Sequence, residues 1–261
     1  MRWSTATAHH VFYQRKANRG HPQGIPPKSW ENVLVVAVLA HRGASQGAVE
    51  NTVEAFCEAR RLGADGVELD VRRSADGALV VHHDAEIPGA GMIATLKVTD
   101  LPVTVPLLDA AVVACGDLLI NIEMKDLPGE PGFDPTYPLA GLVATFVAER
   151  DLVARVIVSS FDLAAVDAVR VAEPAVATGW LTPSGFDHRQ ALESVVAGGH
   201  SALHPHHNAV TRELVTMAHQ AGVAINTWTV DEADRMRALA SAGVDAIITN
   251  RPDLAKAVLS R

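Results

Sequence analysis

Along most of the chain, short stretches in which side chains alternate at a period of two are separated by Ala-, Val- and Leu-rich stretches whose apolar positions recur at helical spacing. The first strongly apolar run, 33–40, reads as a strand. A polar loop follows, and residues 53–62 then run at helical spacing and stop at Gly63, a residue suited to the left-handed backbone that ends many helices. That strand, loop and helix recur. Further strands are expected at 66–72, 118–125, 155–160, 175–181, 202–204, 223–230 and 246–249, and helices at 139–149, 163–171, 190–197, 212–221 and 231–242. Regular alternation of the two predicts a parallel sheet with helices outside it, and this number of strands predicts a closed (β/α)8 TIM barrel. One more strand, 79–83, is joined to 66–72 by Asp76-Gly77, which suits a tight turn, so a β-hairpin is expected to extend from strand 2. A doubly wound sheet would call for a Gly-rich phosphate loop after the first strand, and His41-Arg42-Gly43-Ala44-Ser45 is not one.

Residues 1–32 break this pattern with Gly20, Pro22, Gly24, Pro26 and Pro27, and read as a flexible N-terminal extension before a single barrel domain at 33–261. The run 33–40 lies too far in for a secretion signal and falls far short of the ~20 residues that span a bilayer, so no integral membrane segment is expected. Only Cys57 and Cys115 are present, far apart and without ligand spacing, which points to reduced thiols and a cytoplasmic location. A formal net charge of −8 disfavours a general hold on nucleic acid or anionic lipid, and leaves a small-molecule substrate as the default. Nothing in the pattern bears on oligomeric state.

Chemistry enters where polar residues interrupt the predicted strands. Alternation puts Val67, Leu69 and Val71 on one face and Glu68 and Asp70 on the other, and the hairpin return brings His83 toward the two acids while its neighbour His82 points away. On the third barrel strand Asn121, Glu123 and Lys125 share a face, on the seventh Asn226 and Trp228 do, and the first ends in His41-Arg42. In a barrel of this kind the C-terminal ends of the strands carry the chemistry. Three carboxylates at one mouth suit a hard divalent cation, Mg²⁺ or Ca²⁺, rather than zinc. Arg42 and Lys125 beside such an ion describe a pocket for an anion, most simply a phosphate.

Taken together, Ala40-His41-Arg42-Gly43, Glu50-Asn51-Thr52, 63–71, Val80-Val81-His82-His83-Asp84, Glu123-Met124-Lys125, Ser159-Ser160-Phe161-Asp162, Asn226-Thr227-Trp228-Thr229-Val230 and 243–253 resemble the glycerophosphodiester phosphodiesterase family, barrels of the phospholipase-C-like group, over about residues 36–258. The resemblance implies metal-dependent hydrolysis of glycerophosphodiesters to glycerol 3-phosphate and an alcohol. Glu68, Asp70 and Glu123 would hold the metal, His41 and His83 would be the acid/base pair, Arg42 and Lys125 would contact phosphate, and Glu50 would be an accessory carboxylate. It also implies that the substrate's own glycerol hydroxyl attacks phosphorus to give a cyclic phosphate that water then opens. Three positions depart from the family's usual residues: Val49 where Pro is common, Asp231 where Asn is usual and Asn250 where Asp is common. The short segment after His83 implies a reduced substrate-covering insertion. A lysophospholipid-directed phosphodiesterase and a catalytically silent phosphoglycerol-binding barrel are the alternatives.

Other residues read more plainly. His204-Pro205-His206-His207 are expected as loop residues rather than a metal cluster, His204 being the one that can line the pocket. The Gly89-Ala90-Gly91-Met92 stretch is expected as a mobile loop, and Asp162 and Asp253 as helix N-caps. Trp228 is expected either in the core or as an aromatic wall beside the substrate. Ser159 and Ser160 lack the Gly-x-Ser-x-Gly elbow of serine hydrolases.

Overall fold

Eight parallel strands, each followed by a helix, close into a barrel within residues 36–259, the part of the chain that this computed structural model describes. The proposed extension at 1–32 lies outside the described residues. The barrel strands are β1 (Ala37–His41), β2 (Gly66–Arg73), β6 (Leu119–Met124), β7 (Val156–Ser160), β8 (Ala177–Thr182), β9 (Ala202–Pro205), β10 (Ala224–Thr227) and β11 (Ala246–Thr249). β1 pairs with β11 on one side and β2 on the other, which closes the ring. The hairpin return β3 (Leu79–Val81) runs antiparallel to the end of β2, with Val71 opposite Val81. It is shorter than expected: the strand ends at Val81, so His82 and His83 sit past it and their directions are set by their own hydrogen bonds.

Two helices escaped the periodicity reading. Leu108–Cys115 is apolar almost all round, because its exposed face carries Ala110 and Val113 beside Asp109, and so shows no amphipathic stripe. Pro252–Leu259 begins at a proline, which suits the first helical turn. Asp253 therefore lies inside that first turn and is not its N-cap, whereas Asp162 caps Leu163–Ala172 as expected, accepting from the Ala164 N–H at 3.0 Å. The stretch expected as a mobile loop forms a small hairpin, β4 (Glu86–Ile87) with β5 (Gly91–Met92). It lies on a satellite core of Val80, Ile87 and Ile93.

Strand parity sorts the barrel into two kinds of surface. Val38, Val67, Leu69, Ile120, Ile122 and Val158 point outward into the helix layer, where the larger share of apolar burial lies. The opposite parity points inward. At the N-terminal end of the strands the interior is small and apolar, with Ala37, Leu39, Ala246 and Ile248 in one cluster and Ile157, Ala177 and Ala202 in another. Further along the same inward rows come His41, Glu68, Asp70, Asn121, Glu123, Ser159, His204 and Asn226, and all but His41 and Asn226 are buried. One glycine is forced by this filling: a Cβ on Gly179 would lie 2.5 Å from His204 Nε2, so the inward imidazole on β9 requires a bare backbone on β8.

Candidate active site

Register brings the polar residues level. His41 on β1 lies beside Glu68 on β2, Glu68 beside Asn121 on β6, and Asp70 beside Glu123. One oxygen from each of Glu68, Asp70 and Glu123 falls within 4.8 Å of the others, and all three carboxylates are buried. Such crowding is costly unless positive charge is supplied. Burial, then the charges of Asp70 and Glu123, push Glu68 well above the ordinary carboxylate range. Burial likewise raises Glu123 to about 7. Asp70 goes the other way: against the cost of its burial, Lys125 and Arg42 hold it below its ordinary value.

The two cations are locked onto the acids. Lys125 Nζ pairs with Glu123 Oε1 and lies 3.1 Å from Asp70 Oδ1. Arg42 sits just past β1 with φ +56°, and this left-handed turn aims both its backbone and its side chain into the cluster. Its N–H donates to Glu68 Oε2 at 3.0 Å, its Nε lies 3.2 Å from Asp70 Oδ2, and its Nη1 donates to Glu50 at 2.8 Å. Asn51, also at positive φ (+57°), donates from Nδ2 to Asp70 Oδ2 at 2.7 Å and accepts the Asp70 N–H at 3.2 Å. Glu68 Oε1 and Asp70 Oδ1 nevertheless lack an aligned hydrogen-bond donor. Buried, oxygen-only, short of positive charge and with orphaned lone pairs, this triad fits a hard divalent cation.

Each of the two histidines is tied down through Nδ1. His41 Nδ1 lies 2.7 Å from Asn250 Oδ1, while its Nε2 is 3.9 Å from Glu68 Oε2. Burial, helped by the Arg42 charge, lowers the pKa of His41, so its ring is neutral near pH 7. His83 Nδ1 lies 2.7 Å from Asp84 Oδ1 on the partly exposed rim, and His83 helps hold Asp70 in its charged form. His82 instead places its Nδ1 3.0 Å from the Asp84 carbonyl oxygen. Two of the family departures prove to be partners: Asn250 Nδ2 donates to Asp231 Oδ2 at 2.7 Å.

The far wall is aromatic and neutral. Trp228 donates its Nε1–H to the His204 carbonyl at 2.8 Å and meets Phe161 edge to face at 5.3 Å, so it belongs to the mouth as well as to the packing. His204 is not a loop residue: it lies inside β9, fully buried, and burial lowers it to about 3, so it is a neutral imidazole. Its Nε2 is 3.0 Å from Asn226 Nδ2. His206 and His207 follow β9 on a short 3-10 turn, with the His206 ring 5.2 Å from Trp228. Asn51, Asp84, Asp231 and Asn250 had no role assigned from sequence. A loop Asn or Asp at a strand end is a weak signal, since such residues equally serve turns.

Residues 41–254 match the model of the glycerophosphoryl diester phosphodiesterase family. The chain is 32% identical over 239 residues to a glycerophosphodiester phosphodiesterase of Caldanaerobacter subterraneus subsp. tengcongensis, covering 83% of this chain and 94% of that protein. A glycerophosphodiester phosphodiesterase from Thermotoga maritima, solved as a crystal structure, superposes with TM-score 0.72 at 29% identity, over 84% of this chain and 96% of the other. An Oleispira antarctica phosphodiesterase, solved in complex with the product sn-glycerol-3-phosphate, shares the fold with TM-score 0.77 at 22% identity, over 87% and 98% of the two chains. Among the described residues no helix is long and apolar enough to cross a membrane. With a matching family model over most of its length, the same barrel and a relative above 30% identity, the chain belongs to the glycerophosphoryl diester phosphodiesterase family and is a phosphoric diester hydrolase.

Proposed function

We propose that this protein hydrolyses glycerophosphodiesters to glycerol 3-phosphate and an alcohol, with a divalent cation, Mg²⁺ or Ca²⁺, held by Glu68, Asp70 and Glu123. The observation that carries the metal is the crowding of three buried carboxylates, two of which, Glu68 and Asp70, each keep an oxygen without an aligned hydrogen-bond donor. When bound, the ion supplies positive charge for the phosphoryl oxygens. The chain's own groups do the rest. Arg42 and Lys125, already oriented by Asp70, Glu50 and Glu123, face the same anion with their remaining donors.

His41 is the base of this scheme: neutral, with Nδ1 occupied by Asn250, it takes the proton of the attacking glycerol hydroxyl on Nε2. His83, bonded to Asp84, gives a proton to the leaving alcohol. When water opens the resulting cyclic phosphate the two exchange roles. Trp228 and Phe161 offer an edge-to-face wall for the carbon skeleton of glycerol. Glu50, exposed at the rim, acts by orienting Arg42. The catalytic domain is 33–261, and deletion of residues 1–32 is expected to leave turnover unchanged.

A panel of glycerophosphodiesters and lysophospholipids, assayed with and without chelator, tests the reading. Glycerol 3-phosphate is expected from the first group, with turnover falling about 10³-fold or more on chelation and returning with Mg²⁺ or Ca²⁺. Full turnover in metal-stripped, chelated protein removes the metal from the scheme, and turnover confined to lysophospholipids replaces the substrate. His41→Ala and His83→Ala are each expected to slow turnover about 10²–10⁴-fold. His82→Ala is expected to change it little.

A further inference from the structure

Asp231 follows β10 and Asn250 follows β11, and backbone pairing ties the two strand ends together, the Val230 N–H donating to the Ile248 carbonyl at 3.0 Å. Asp231 makes three hydrogen bonds. Its Oδ1 accepts from Thr249 Oγ1 at 2.9 Å and from the Asn250 backbone N–H at 2.9 Å, and its Oδ2 accepts from Asn250 Nδ2 at 2.7 Å. On the other side of the Asn250 amide, Oδ1 accepts from Ser45 Oγ at 3.1 Å and faces His41 Nδ1 at 2.7 Å.

Donor and acceptor identities leave one arrangement. An ionised carboxylate has no hydrogen to give, so the Asn250 group beside Asp231 Oδ2 must be the NH₂. The group beside His41 is then the carbonyl oxygen, which only accepts, and His41 Nδ1 must carry the hydrogen. A neutral imidazole bears one hydrogen, so Nε2 is left with its lone pair. The Nε2 is the nitrogen that points toward the carboxylate cluster, 3.9 Å from Glu68. Reversing the amide would set its oxygen against the Asp231 carboxylate, and moving the ring hydrogen to Nε2 would set two lone pairs against each other at 2.7 Å.

We propose that Asp231, acting through the amide of Asn250, is a positioning residue that holds His41 in the Nδ1–H tautomer and so keeps its Nε2 bare toward the reacting groups. Asp231 touches neither His41 nor the metal-binding carboxylates. Its effect reaches the ring only by fixing which end of an amide faces it. Charge at His41 Nδ1 is thereby kept one residue away, with a neutral dipole in between. The function assigned to that bare nitrogen rests on the base role proposed for His41, but the tautomer does not.

The test is nitrogen NMR of the full-length protein labelled at histidine, with the His41 signals identified by their loss in His41→Ala, alongside kcat and KM. In the natural protein His41 is expected to show a protonated Nδ1 and an unprotonated Nε2. Asp231→Leu is expected to mix the two tautomers and to lower kcat about tenfold or more, with KM within about twofold, because the misplaced hydrogen blocks proton uptake without removing a substrate contact. The exchange variant Asp231→Asn/Asn250→Asp presents an acceptor to Nδ1 again and is expected to recover the tautomer and most of kcat, which a merely structural defect would not do. Should Asp231→Leu fail to fold, Asp231→Asn against the exchange variant gives the same contrast. A natural protein with Nδ1 unprotonated, an unchanged tautomer and kcat in Asp231→Leu, or an exchange variant no better than the single substitution would each overturn the proposal. If the tautomer behaves as stated while His41→Ala retains full turnover, the positioning stands and the base role falls.

Discussion

The two sides of the barrel mouth solve the problem of buried polarity in opposite ways. On the arc formed by β1, β2 and β6, three ionisable carboxylates crowd against the two cations Arg42 and Lys125. Across the mouth, on β8, β9 and β10, the inward groups are Gly179, His204 and Asn226, and His204 is kept neutral by burial alone. A charge cluster that lacks one positive charge has a use for a cation. A neutral polar wall with an aromatic edge has none, and suits hydroxyl and carbon. The difference teaches that the groups suited to a cation and an anion are confined to three of the eight barrel strands, while the rest shapes the cavity.

Glu123→Gln is expected to break this contrast most strongly. It removes one charge at nearly constant shape, and should weaken metal binding and turnover by at least about 100-fold, more than an outer contact to a metal ligand is ordinarily worth. Calorimetric metal titration and steady-state kinetics check it. Gly179→Ala probes the neutral side: a Cβ 2.5 Å from His204 Nε2 must displace the ring, at about 1–3 kcal/mol of stability, visible as a lower Tm. Turnover should fall far less than in Glu123→Gln. An equal loss of turnover would mean that the neutral wall also takes part in the chemistry.

Proton linkage separates the two sides by sign. Glu123 titrates at about 7 in the folded protein against an ordinary 4.5, so the stability it contributes is complete below about 4.5 and is lost as pH rises through about 7. His204 titrates at about 3 against an ordinary 6.5, so its contribution is present above 6.5 and is lost as pH falls toward 3. Metal-free Glu123→Gln is therefore expected to melt a few °C higher than the natural metal-free protein near about pH 8, with the gap closing near about pH 5. A gap that widens toward acid would reverse the assignment of charge. Smallest is Trp228→Phe, which keeps an aromatic side chain but loses the hydrogen bond to the His204 carbonyl. About 0.5–1.5 kcal/mol of stability is expected to go, with KM rising a few-fold.

The architecture was legible in the chain because period-two and helical patterns report burial directly, and they marked every barrel strand and six of the helices among the described residues. The strand-borne site residues followed from the same parity: Glu68, Asp70 and Glu123 share the inward face as alternation requires. Patterning failed where the exposed face of a helix is itself apolar, as at Ala110 and Val113 of Leu108–Cys115, and at the end of β3, where two histidines left the strand and each found its own partner. Sequence thus determined the barrel and the acidic triad, since each depends on local periodicity and side-chain chemistry. Tertiary structure alone decided that His204 is a buried neutral ring behind Gly179. It also decided that Asn51 grips Asp70, and that Asp231 reaches His41 through Asn250, which lies 209 positions after His41 in the chain. These are contacts between strand ends brought together by closing the ring, and no local pattern encodes which loop will meet which.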